Sequence, residues 1–126
     1  MYLRFTITQI DEDSHKPQGV FSAAYSLLDS GDLDSVEWKQ LRELLDWFDE
    51  HLTSPPDSFY ASRAIFWFKS DAQENISRIW EMVYILRGHG YHIDVYKCRR
   101  LANVSYEDKF QVAAYPSDRD GKTTVQ

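Results

Sequence analysis

Cysteine is almost absent from this chain of 126 residues. Cys98 stands alone, so neither an internal disulfide framework nor a thiolate-rich metal site can be built, and a reducing, cytoplasmic setting is expected. Positive charge is short as well. Lys and Arg number 14 against 20 Asp and Glu, a formal net charge of -6. A field of that sign repels phosphate backbones, anionic membranes and acidic substrates. No apolar run approaches the ~20 residues needed to cross a bilayer. Met1 leads directly into Tyr2-Leu3-Arg4-Phe5, which has neither the basic start nor the apolar stretch of a signal peptide, so the mature chain is expected to begin there. GxGxxG, GxxxxGK[ST], HExxH, GxSxG and CxxC are all missing. Their absence removes the usual routes to dinucleotide, nucleotide, zinc-protease, hydrolase and thioredoxin chemistry. A protein that works by binding is favoured over an enzyme, with no cofactor and no metal.

What is present favours a folded globule. Hydrophobic residues make up 43% and aromatics 15%, and a chain of this length fits one domain burying roughly two thirds of its unfolded surface. We place that domain at 1–116 and a flexible polar tail at 117–126. The strongest strand signal is Arg63 to Lys69, where Ala64, Phe66 and Phe68 alternate with Ile65 and Trp67 between two cations. Apolar residues on both faces read as a strand interior to its sheet.

The other elements follow from periodicity. Leu3, Phe5 and Ile7 alternate with Tyr2, Arg4 and Thr6, a half-buried strand ending near Ile10. Asp11 to Gly19 breaks the pattern and reads as a loop. A helix over 19–30 is closed by Gly31, and another over 35–52 starts at a capping box, Asp34 with Glu37. Two prolines, Pro55 and Pro56, force a loop at 53–58. Ser70 or Asp71 is expected to cap a third helix whose buried stripe is Ala72, Ile76, Ile79, Trp80, Val83 and Leu86, with Gly88 or Gly90 ending it. His92 to Tyr96 is expected to lie parallel to the 63–69 strand across a right-handed crossover. Tyr106 to Tyr115 should return as one antiparallel strand, with Arg99 and Arg100 across from Glu107 and Asp108. The fold class is α+β: a two-layer sandwich with a four-stranded mixed sheet and three helices on one face, in the order β-α-α-β-α-β-β.

Tyr2-Leu3-Arg4-Phe5, Gly19-Val20-Phe21-Ser22-Ala23-Ala24-Tyr25, Leu45-Asp46-Trp47-Phe48, Trp67-Phe68-Lys69 and Tyr106-Glu107-Asp108 followed by Gln111-Val112 resemble a family of small uncharacterised bacterial proteins. The resemblance covers residues 1 to about 116. It implies a compact bacterial domain and carries over no site.

Candidate chemistry is sparse. Asp11, Glu12, Asp13 and His15 could offer oxygens and an imidazole to a divalent cation, but the loop lacks the Gly and distal Glu of a calcium-binding hand. It reads as a solvated loop. His89 and His92 are separated by a helix end, Cys98 has no partner acid or base, and Tyr106-Glu107-Asp108 has no neighbouring nucleophile. The remaining signal is the second face of the sheet. With Leu3, Phe5, Phe66, Phe68, Ile93, Val95, Phe110 and Val112 turned to the helices, pleating sends Tyr2, Arg4, Ile65, Trp67, Tyr96, Ala113 and Tyr115 to the other side. We therefore expect Tyr2, Arg4, Ile65, Trp67, Tyr96 and Tyr115 to form a protein interface, through which the chain pairs as a homodimer or meets another protein. The alternative is a small enzyme or ligand-binding protein with its pocket near the 11–19 loop. Single-stranded nucleic-acid binding on the same aromatic face is a weaker third reading, opposed by the net charge and by the lack of the usual glycines.

Overall fold

The strand Tyr2–Ile10 (β1) lies at the centre of the molecule, and every other part of the sheet is placed relative to it. The computed structural model describes residues 1–10, 12, 15–52, 65–115 and 123–125. Asp11 and Asp13 of the acidic loop, the proline loop at 53–58, the Arg63-Ala64 start of the long strand and residues 116–122 and 126 lie outside the described residues.

After β1 come a short strand Pro17–Gly19 (β2) and the helices Val20–Asp29 (α1) and Ser35–His51 (α2). Gly31 adopts φ +82° just past α1, the left-handed conformation that a residue without Cβ takes readily. Asp34 caps α2 by accepting from the Glu37 backbone N–H at 2.8 Å, as the sequence leads one to expect. Strand Ile65–Lys69 (β3) then feeds helix Gln73–Gly88 (α3), which begins later than expected. Its N-cap is Ala72 with no side-chain cap, because the Asp71 carbonyl takes the Gln73 N–H and the turn tightens before the helix starts. The glycine with positive φ after α3 is Gly90, at +90°.

The sheet departs most from expectation. Strands Asp94–Cys98 (β4), Val104–Glu107 (β5), Gln111–Ala114 (β6) and Thr123–Val125 (β7) complete a seven-stranded sheet ordered β5-β6-β3-β1-β4-β7, with β2 pairing alongside β1. Every pairing among the described residues is antiparallel, so the sheet is neither four-stranded nor mixed there. β3 and β4 do run the same way, since each is antiparallel to β1, but β1 separates them. The crossover through α3 thus spans two strand spacings, about 9.6 Å, and makes a split β-α-β unit.

The expected single strand from Tyr106 to Tyr115 is a hairpin folded at Asp108. Its Oδ1 accepts from the N–H groups of Phe110 and Gln111 at 2.8 and 2.9 Å, which turns the chain and separates β5 from β6. Glu107, on the edge strand β5, consequently meets Lys69 at the end of β3 at 2.6 Å and not Arg99 or Arg100. Thr123–Val125, expected in the polar tail, pairs with β4.

All three helices pack on one face of the sheet. Phe5, Ile7, Leu41, Ile79, Leu86 and Val95 are among the residues buried between the layers, each contributing about 1.5–3 kcal/mol by leaving water. Trp80 is not among them: it is 39% exposed, with its ring meeting Phe5 edge-on at 5.2 Å.

Candidate functional site

Register decides which expected interface residues share a surface. Directly paired residues point to the same side, so Tyr2 with Cys98, Arg4 with Tyr96 and Trp67 with Val112 lie opposite the helices, while Leu3 with Phe68 and Phe66 with Ala113 face them. Tyr2, Arg4, Ile65, Trp67 and Tyr96 are therefore brought together. Tyr115, next in alternation after Ala113, falls on the helix side instead. The expected facing of this strand is one residue out, because all four residues of β6 are buried and its one polar residue, Gln111, lies on the helix side, opposite Phe68 and bonded to Asp108, where alternation would set an apolar side chain.

The face they share is filled from within the chain. Trp67 is only 2% exposed and packs with Ile65 and Cys98, bordered by Tyr2, Tyr96 and Leu101. The expectation of an uncovered aromatic face fails at its centre, since a second, smaller core occupies it. Arg4 works within the fold there. Its guanidinium donates to the Phe66 carbonyl at 3.5 Å and to the Pro17 carbonyl, at the point where β3 parts from β1 and β2 takes its place. Thr6 Oγ1 and Trp67 Nε1 are buried on this side without a hydrogen-bond partner.

Exposed aromatic surface lies on the outside of the helices. A shallow groove of about 710 Å³ runs over α2 and α3, with Leu44 and Ile85 in its lining beside the rings of Trp47, Trp80 and Tyr84. Tyr84 is 82% exposed, the most open of the large apolar side chains among the described residues. The two helices run antiparallel here, for Glu37 of α2 meets His89 past the end of α3 at 3.0 Å while Arg78 lies over the Trp47 ring at 4.3 Å. That cation–π contact and an ion pair from Arg78 to Glu74 at 3.5 Å hold Arg78 in place. Glu43 and Glu81 also line the groove, and neither has an ion-pair partner among the described residues.

The sequence carried a signal for this groove. Gln40, Glu43, Leu44 and Trp47 recur at 3, 4 and 7 spacings, a second stripe beside the buried one of α2, and Trp80 and Tyr84 stand one turn apart on α3. The assignment of Trp80 to the core concealed it.

The other candidates disperse. His89 turns to Glu37 and His92 to Asp94, each at 3.0 Å, so their rings go to different carboxylates. Cys98 is buried and donates to the Arg100 carbonyl at 2.6 Å. Asp108 binds its own hairpin with both oxygens, taking the Tyr106 hydroxyl at 2.9 Å and the Gln111 amide at 3.2 Å on Oδ2. Burial raises the Asp108 pKa, but the donors from Phe110, Gln111 and Tyr106 outweigh it and hold the carboxyl below its ordinary value. No group of three or more His, Cys, Asp or Glu able to hold a metal occurs among the described residues, and no helix there is long and apolar enough to cross a membrane. No protein-family model, curated protein or solved structure matches the chain.

Proposed function

We propose that this chain is a protein-binding module whose recognition surface is the outer groove of α2 and α3, where it takes an amphipathic helix of another protein. The observation that carries the reading is the placement of Trp47, Trp80 and Tyr84 beside Leu44 and Ile85 on an open surface. Tyr and Trp are the residues most enriched in the energetic centres of protein interfaces. From Gln40 to Trp47 the groove follows two turns of α2, about 10 Å at 1.5 Å per residue, which suits anchors at i, i+4 and i+7 of a helix laid along it. The sheet face expected from the sequence supports this role less well, because Trp67 is already buried by its own chain.

Nuclear magnetic resonance with a panel of amphipathic helical peptides tests the proposal. Saturable shifts of the Trp47 and Trp80 indole N–H signals, with Trp67 unmoved, are the expected result. Saturable binding that moves Trp67 and leaves the α2–α3 signals in place would return the site to the sheet face. Binding should weaken at least tenfold in the Trp80→Ala, Tyr84→Ala double variant, as hot-spot aromatics each contribute on the order of 2 kcal/mol or more.

A further inference from the structure

Resting on that reading, we infer that the helix bound in the α2–α3 groove is cationic, with Lys or Arg flanking its apolar stripe and meeting Glu43 and Glu81. Glu43 lies on α2 and Glu81 on α3, both exposed at the groove. The other charges nearby are largely committed. Arg42 is held by Asp46 at 2.7 Å and approaches Asp49 at 4.0 Å, and Arg78 is held by Glu74 and the face of Trp47. Arg87 lies over the ring of Trp80 at 5.9 Å and donates to the Ile93 carbonyl at 3.1 Å, and Lys39, one turn before Glu43, makes no ion pair among the described residues and offsets part of the carboxylate charge from α2. Across their full lengths the two helices carry seven carboxylates against four Lys and Arg. An apolar floor between two unpaired carboxylates thus matches a helix whose apolar stripe is bordered by cations.

The same charges argue against a second copy of this chain as the occupant. Packing α2 and α3 on their own counterparts would set Glu43 and Glu81 against a surface with the same excess of carboxylates, in a chain of net charge -6. Like charges brought together across an interface oppose association.

The test uses the intact protein and two synthetic helical peptides with one Leu/Trp stripe, the first flanked by Lys and the second by Glu. Titration by fluorescence anisotropy at two salt concentrations is expected to show tighter binding of the Lys peptide by tenfold or more, weakening as salt rises. Glu43→Gln with Glu81→Gln should lower that affinity about three- to tenfold and flatten the salt dependence, in line with the modest strength of exposed ion pairs. Both positions are exposed, and circular dichroism should show the variant folded. Equal affinity for both peptides at the groove would overturn the charge inference and leave the binding module standing. No binding of either peptide would overturn both. Self-association seen by light scattering and lost in Tyr84→Ala would replace the cationic helix with a second copy.

Discussion

Asp108 shows how much one side chain can decide. Its two oxygens accept four hydrogen bonds, two from backbone N–H groups and two from side chains, and so convert an apparently continuous strand into a hairpin. Because the folded pKa is depressed, folding favours the ionised form. The resulting stability is present above the unfolded Asp value of about 3.9 and is lost as pH falls through the lower folded value. Asp108→Ala is expected to cost about 2 kcal/mol near neutral pH, the scale of hydrogen bonds to a charged group. Urea melts should show the gap between wild type and variant narrowing from pH 5 towards pH 2; a gap independent of pH would mean that the carboxylate is not the part that matters. The tryptophans divide by burial in the same way. Trp67→Ala should cost about 3–5 kcal/mol and Trp80→Ala clearly less, with Trp67→Phe between wild type and Trp67→Ala, since it keeps most of the ring and removes an N–H that has no partner. Melts that ranked Trp80→Ala as the more damaging would contradict the packing.

Among the elements, β1 is the one on which the rest depend. It pairs with β4 from Tyr2 to Thr6, with β3 at Tyr2 and Leu3, and with β2 from Thr6 onward. Arg4 joins these partners where they diverge, supplying donors to carbonyls of both β3 and β2. Replacing it by Met keeps the apolar stem and removes the donors. The expected loss is about 1.5–3 kcal/mol, with faster amide exchange at β2 than at β4; equal acceleration in both would show that Arg4 is not local to the junction. Three helices, the strand cores and the α2 cap were legible in the sequence because 3.6 and 2 residue periods, capping pairs and Gly31 act within a few residues. Strand order was not. Nothing in Ile65–Lys69 or Asp94–Cys98 says that Tyr2–Ile10 separates them, for that depends on how a 16-residue helix crosses the sheet. The β6 register was equally hidden, because Val112 and Ala113 are both buried and the one polar residue of the strand, Gln111, is buried on the helix side, where the polar–apolar contrast that fixes a register points the wrong way. At the candidate site Trp80 misled for a simple reason: a large apolar residue adjoining a buried stripe reads as core whether or not its ring enters it.

For the whole molecule, the consequence is a sheet with apolar packing on both sides: a large core under α1, α2 and α3, and a small one around Trp67. The two predict different responses to a charge placed at Trp67. Were the second face an interface between copies, Trp67→Glu would dissociate a dimer and leave a folded monomer. With Trp67 at 2% exposure inside its own chain, the same change buries an unpaired carboxylate and leaves the space of an indole unfilled. The first effect costs several kcal/mol and the second adds a cavity. Domains are stable by only about 5–15 kcal/mol, so Trp67→Glu should lose most of the stability of the entire fold. The urea midpoint is expected to fall sharply, with circular dichroism and fluorescence changing together, because β3 is hydrogen-bonded to β1 and β6 and cannot fail alone. A variant with wild-type circular dichroism, an unchanged midpoint and half the wild-type mass in light scattering would establish the sheet face as a dimer interface and overturn the small core as a part of the monomer.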